Sequence, residues 1–115
     1  MSEYVQITTT TGKRQDAEQL ASEVVSRRLA ACAQISGPIV STFRWQGQVE
    51  TAEEWGCTLK TTIAQLDAIQ SLFDEIHPYE VPELIATPIV DGSDAYLRWL
   101  GEQVGSLERG AGSGE

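Results

Sequence analysis

Apolar and polar positions alternate from Tyr4 to Thr10, with Val5, Ile7 and Thr9 on one side and Gln6, Thr8 and Thr10 on the other. A period of two predicts a half-buried strand. From Gly12 the period lengthens: Ala17, Leu20, Ala21, Val24, Val25 and Arg28 recur at helical spacing. This stripe predicts a first helix, capped by Thr11. The stretch Ala31 to Lys60 is rich in β-branched and aromatic residues around a central Gln46-Gly47 pair, the pattern of one long hairpin. Ile39, Ser41, Phe43 and Trp45 share a face of its first arm; Val49, Thr51, Glu53, Trp55, Cys57 and Leu59 share a face of its second. Gly37-Pro38 interrupts the first arm, because proline cannot donate to a sheet ladder, so a bulge or an edge is expected there.

Thr61-Thr62 then offers an N-cap for a second helix carrying Ile63, Leu66, Ile69, Phe73 and Ile76. That helix should stop at His77, since Pro78 disfavours helical geometry in the residue before it. Leu84 to Val90 reads as a short apolar strand, and Asp91-Gly92-Ser93 as a turn that caps a last helix bearing Tyr96, Leu97, Leu100 and Val104. The resulting order is β-α-β-β-α-β plus a C-terminal helix, an α+β, ferredoxin-like arrangement with the helices on one sheet face. The other face, and hairpin arms long enough to carry Trp45 and Trp55 outward, would leave apolar surface in water unless another subunit covered it. An oligomer is therefore expected. Residues 1–107 are predicted to form a single domain, and 108–115 (ERGAGSGE), glycine-rich and without periodicity, a disordered tail or a remnant of expression.

Composition narrows the function classes. At 115 residues and 41% hydrophobic, the chain is long enough to bury a core without disulfides. Eight basic residues against 17 acidic ones leave a net charge of −9, and the basic ones are scattered. A nucleic-acid partner needs clustered cations, so none is expected. Cys32 and Cys57 show no C-x-x-C spacing, which predicts a reducing compartment. No apolar run approaches the roughly 20 residues of a membrane span, and no charged-then-apolar leader opens the chain. A cytoplasmic protein with no membrane partner is the expectation.

The candidate chemistry is sparse. His77 is the sole histidine, so a metal site within one chain would have to recruit carboxylates or Cys32 and Cys57, a poor set for zinc or copper. His77 could instead hydrogen-bond at the end of the second helix. Three copies of it could converge only across a symmetric trimer. Segment Thr8 to Arg14 joins the first strand to the first helix, where amides can hold an anion, but it lacks the first glycine and the hydroxyl residue of a P-loop. Glu50, Glu53, Glu54, Glu80 and Glu83 supply carboxylates without a spacing that pairs them for acid/base work, and no nucleophile can be linked to His77. Catalysis is not expected.

Five segments taken in order, RLAACAQI (28–35), STFRWQGQVE (41–50), LKT (59–61), HPYEVPELIATPI (77–89) and YLRWL (96–100), closely resemble the CutA, or divalent-cation-tolerance, family. The resemblance spans nearly the whole chain before the tail, and HPYEVPE is its most specific element. It implies a ferredoxin-like protomer in a tight homotrimer, with long hairpins pairing between subunits, and a role in tolerance of copper and other heavy metals without catalysis. It also implies a likeness to PII signalling trimers, whose ligands lie in clefts between subunits. By motif matching, Trp45, Glu50, Lys60, Tyr79 and Glu80 would line such a cleft, with His77 as the metal-side residue. A weakly bound divalent cation, copper or zinc, is the ligand implied, with no firm cofactor. Some relatives carry a cysteine near the end of the first strand and a second histidine beside that of HPYE, where this chain has Thr9 and Ile76, a departure that weakens copper coordination. Two alternatives remain: a PII-like sensor of a small anion, held by Lys60 or by the loop Thr11 to Arg14, and a phosphate-handling hydrolase using the same loop.

Overall fold

The computed structural model describes residues 3–105. Its elements run β1 (Tyr4–Thr11), α1 (Arg14–Ser26), β2 (Cys32–Trp45), β3 (Gln48–Thr62), a 3-10 turn (Ile63–Gln65), α2 (Leu66–Ile76), β4 (Ile85–Pro88) and α3 (Asp94–Gln103). The four strands form one antiparallel sheet in the order β2-β3-β1-β4. The α+β class and the element order match the sequence pattern. The predicted tail, 108–115, and the boundary at 107 lie outside the described residues.

Alternation along β1 becomes burial. Val5, Ile7, Thr9 and Thr11 face α1 and α2 together with Cys57, Leu59 and Thr61 of β3, and all are buried. Ala17, Leu20 and Val24 of α1 and Ile69, Leu72 and Phe73 of α2 close this core. Removing a large side chain from such a core costs the lost transfer energy plus a cavity term.

The second sheet face is not bare, as an all-on-one-side placement of helices would have left it. Helix α3 lies across one end of it, where Leu100 and Val104 pack with Ala31, Tyr4 and Ile89. Ser93 caps α3, its hydroxyl accepting from the Tyr96 amide at 3.2 Å. Further along, this face and both arms of the hairpin stay open.

The hairpin turns at Gln46-Gly47, both with positive φ (51° and 80°), the geometry of the tight turns that match strand twist. The bulge falls where Gly37-Pro38 was expected to break the ladder: pairing resumes at Ile39–Glu54 after Ser36–Gly56, so the first arm carries one extra residue. Gly37 has φ +148°, and a Cβ there would lie 2.9 Å from the Trp55 ring, so both conformation and space call for glycine. Beyond the bulge, Ile39, Val40, Phe43, Trp45 and Val49 are exposed, Val40 at 74%.

Three boundaries differ from the sequence pattern. Thr11 does not cap α1: Lys13 occupies the cap position without a side-chain bond, and the Thr11 hydroxyl donates to the Lys13 carbonyl at 2.8 Å. Thr61-Thr62 continues β3, paired to Val5 and Tyr4, because the ladder with β1 satisfies more backbone groups than an early cap would. α2 accordingly starts at Leu66. β4 is confined to Ile85–Pro88, the span that β1 can pair. Among the described residues no helix is long and apolar enough to cross a membrane.

Candidate functional site

The segment after α2 builds the site. Pro78 holds His77 in an extended conformation (φ −69°, ψ 134°), so the chain leaves the helix at once and turns back over the sheet. The His77 ring is buried between Phe73 and Tyr79, each 5.3 Å away centre to centre. Its Nδ1 accepts from the Tyr79 amide at 3.1 Å, which leaves the proton of the neutral ring on Nε2. Nε2–H then donates to the Thr9 hydroxyl at 3.0 Å. Burial holds the His77 pKa below its ordinary value, against smaller upward pulls from the Thr10 backbone and from the carboxylates of Asp16 and Glu54. Thr9 thus meets His77 at the position where some relatives are implied to have a cysteine.

Tyr79 passes Gly12, where a Cβ would sit 3.4 Å from the phenol oxygen, and crosses the end of β1 to the second sheet face. There its hydroxyl donates to Glu54 Oε2 at 2.6 Å. Burial, and then the Glu54 carboxylate, raise the Tyr79 pKa. Glu54 is only 7% exposed. Between the hairpin and segment 78–83 lies an open cavity of about 500 Å³. Thr10, Phe43, Trp45, Glu50 and Glu54 line it from the sheet, and Pro78, Tyr79, Glu80, Val81 and Glu83 from the loop.

Of the residues proposed from motif matching, Trp45, Glu50, Tyr79 and Glu80 come together in this cavity. His77 does not line it: it lies on the helix side, joined through its backbone neighbour Tyr79. Lys60 lies elsewhere, paired with Cys32 across the hairpin, its ammonium 5.9 Å from the Tyr96 ring centre under α3. Cys32 Sγ is 3.7 Å from the Tyr96 hydroxyl, and that contact, with burial second, raises the Tyr96 pKa. Cys57 is buried on the helix side, its thiol pushed up to about 11 by burial, and both thiols are free. Such a thiol is a small core hydrophobe and not a nucleophile.

Among the described residues no three His, Cys, Asp or Glu side chains converge as a metal site. Both His77 nitrogens are also engaged, so coordination by His77 would require breaking one of those bonds. The described residues of one chain form no preformed copper or zinc centre. In the Thr8 to Arg14 loop, Arg14 pairs with Glu18 at 3.1 Å and lies over the Trp55 ring. Sequence reasoning named Glu54 only as one acid among several, Thr10 only in the segment offered to an anion and Phe43 only on a hairpin face, and it did not assign these or Val81 to the cavity. The hydrogen bond between residues 54 and 79 is a long-range pairing that neither local pattern signals.

Comparison with known proteins agrees with this architecture. A family model described as CutA1 divalent ion tolerance protein matches residues 5–103. The divalent-cation tolerance protein CutA of Thermus thermophilus is 39% identical over 89 residues, 77% of this chain and 86% of that protein. The chloroplastic CutA of Arabidopsis thaliana is 38% identical over 79% of this chain and half of its own length. The solved structure of the periplasmic divalent cation tolerance protein CutA from Archaeoglobus fulgidus superposes with a TM-score of 0.84 at 31% identity, covering 87% of this chain and 97% of that one. Relatives therefore carry chloroplastic and periplasmic names, so membership does not by itself place this chain in the cytoplasm. With the family model spanning β1 to α3, and with the HPYEVPE segment building the cavity wall, the chain belongs to the CutA1 divalent ion tolerance family.

Proposed function

We propose that this chain acts as a homotrimer of ferredoxin-like, PII-like protomers in the response to divalent metal ions such as copper, by binding or scaffolding and not by catalysis. The observation that carries the reading is the cavity beside the HPYEVPE segment, which presents Glu50, Glu54, Glu80 and Glu83 and, among the described residues, no basic side chain. Such a wall attracts cations and repels anions. It therefore favours the metal-response reading over a sensor of a small anion at the same place. Divalent cations would be held weakly by carboxylate oxygens, with Trp45 and Tyr79 shaping the cleft. His77 would take part only after releasing Thr9 or the Tyr79 amide.

Assembly is supported by the open hairpin. Ile39, Phe43 and Trp45 on one face and Val40 and Val49 on the other are apolar side chains that a neighbouring subunit would remove from water. A net charge of −9 per chain opposes that association, so the buried apolar area must outweigh the repulsion. A reducing compartment such as the cytoplasm suits the free Cys32 and Cys57.

Native mass spectrometry of the purified protein, followed by calorimetric titration with copper and zinc chlorides, tests the reading. A trimer with saturable, weak metal uptake is the expected result. A monomer would overturn the assembly, and absence of saturable uptake of either ion would remove direct binding.

A further inference from the structure

His77 ties three parts of the protomer together. Its backbone amide donates to the Phe73 carbonyl at 2.9 Å and closes the last turn of α2. Its Nδ1 accepts from the Tyr79 amide at 3.1 Å, which only a bare ring nitrogen can do. Its Nε2–H donates to the Thr9 hydroxyl of β1 at 3.0 Å, and the rings of Phe73 and Tyr79 pack beside it.

Neither nitrogen is available to a metal without loss elsewhere. Coordination at Nδ1 would strip the Tyr79 amide of its partner, and coordination at Nε2 would displace the hydroxyl of Thr9, a wholly buried residue. Cys57, opposite Thr9 in the ladder, is wholly buried too, so an ion drawn to it would have to enter the packed core. Assembly does not relieve this. A metal shared on a threefold axis needs imidazoles that protrude, whereas His77 is 9% exposed in a single protomer, enclosed by Phe73, Tyr79 and Thr9 of its own chain. Neighbouring subunits can only lower that exposure.

We infer that His77 is a hydrogen-bonded pin that positions the segment after α2, and that it is a metal ligand neither within the protomer nor between subunits. By holding the Tyr79 amide it fixes how the chain leaves α2, and so aims the phenol at Glu54, 2.6 Å away across the end of β1. The release that coordination by His77 would require is not made, and any divalent cation taken up goes to carboxylates. The pin does not depend on metal uptake.

His77 is the sole histidine, so isotope labelling of histidine gives one pair of ring nitrogen signals, and nuclear magnetic resonance of the full-length protein near neutral pH reads its state. Nε2 should carry the proton and Nδ1 none, and zinc chloride in excess over chains should shift neither signal. A proton on Nδ1, or a zinc-dependent shift that saturates, would overturn the inference. Thr9→Val removes the acceptor of Nε2–H and should shift the Nε2 signal; an unmoved signal would also overturn it. In calorimetry, His77→Gln, whose amide can still donate to Thr9, should take up zinc as the unaltered protein does. A loss of affinity of about tenfold or more, the scale of a disrupted metal shell, would count decisively against the pin. Should His77→Gln not fold, the signals of the unaltered protein decide. Zinc calorimetry of the unaltered protein tests the metal-response reading separately: uptake with unmoved His77 signals supports both, and without uptake the tautomer and Thr9→Val still decide the inference.

Discussion

The two ends of β3 follow different rules. From Trp55 to Thr62 the strand pairs with β1, and from Gly56 to Lys60 with β2 as well, and its Cys57, Leu59 and Thr61 are buried under α1 and α2. From Gln48 to Glu53 its one described partner is β2, no described helix covers it, and Val49 is 66% exposed. Both ends have β-branched and apolar residues in alternation, so pattern alone does not tell them apart. The difference is what lies above the sheet. One end carries the core of the protomer, and the other, left outside that core, is where the proposed subunit interface and the cavity wall lie.

Breaking the covered end should have the largest effect. Phe73→Ala, which empties a fully enclosed site between α2 and the sheet, is expected to cost about 3–5 kcal/mol in urea unfolding. At the junction of the two ends, Tyr79→Phe removes a hydrogen bond to a buried carboxylate and should cost about 1.5–3 kcal/mol by the same measurement. On the second face, Ser93→Ala removes the cap of α3 and should cost about 1 kcal/mol.

A smaller effect follows from His77. Its folded pKa lies below the unfolded value, so the unfolded chain binds the proton first as pH falls. The stability it contributes is fully present above about pH 6.5 and declines below that until the folded ring also titrates. The slope of stability between pH 7 and 5 should therefore flatten in His77→Gln, as followed by chemical denaturation. At the open end, Val40→Ser should change protomer folding by less than about 0.5 kcal/mol. In sedimentation it should nonetheless weaken the proposed trimer, and an unchanged association would count against the hairpin as the interface.

Legibility in the sequence tracks the range of the interaction involved. Gln46-Gly47, Gly37-Pro38, the stop at His77 and the Ser93 cap each rest on the conformational limits of one or two residues, and each was readable. Thr61-Thr62 was misread because its local meaning, a cap, was overruled by pairing with Tyr4 and Val5 more than 50 residues away in sequence. The site divides the same way. Trp45, Glu50, Tyr79 and Glu80 were recoverable from motifs. That Lys60 lies apart from them follows from strand geometry, since the six residue steps from Glu54 to Lys60 span about 20 Å. The pairing of Glu54 with Tyr79 needs the loop to wrap around the end of β1, which only the folded chain reveals.

The extra residue at Gly37-Pro38 sets the side-chain phase of the outer hairpin. Before it, Ala33 and Ile35 stand opposite Leu59 and Cys57 on the helix side; after it, Ile39 and Phe43 stand opposite Glu54 and Glu50 on the other side. Strict alternation would have kept all four on one face. A single inserted residue thus works as a half-period shift, assigning the inner part of β2 to the core and delivering the aromatics of its outer part to the cavity. A regular ladder through these same residues, with no bulge, would place Thr42 and Arg44 at that wall in place of Phe43 and Trp45, turning an acidic aromatic recess into one that carries its own cation.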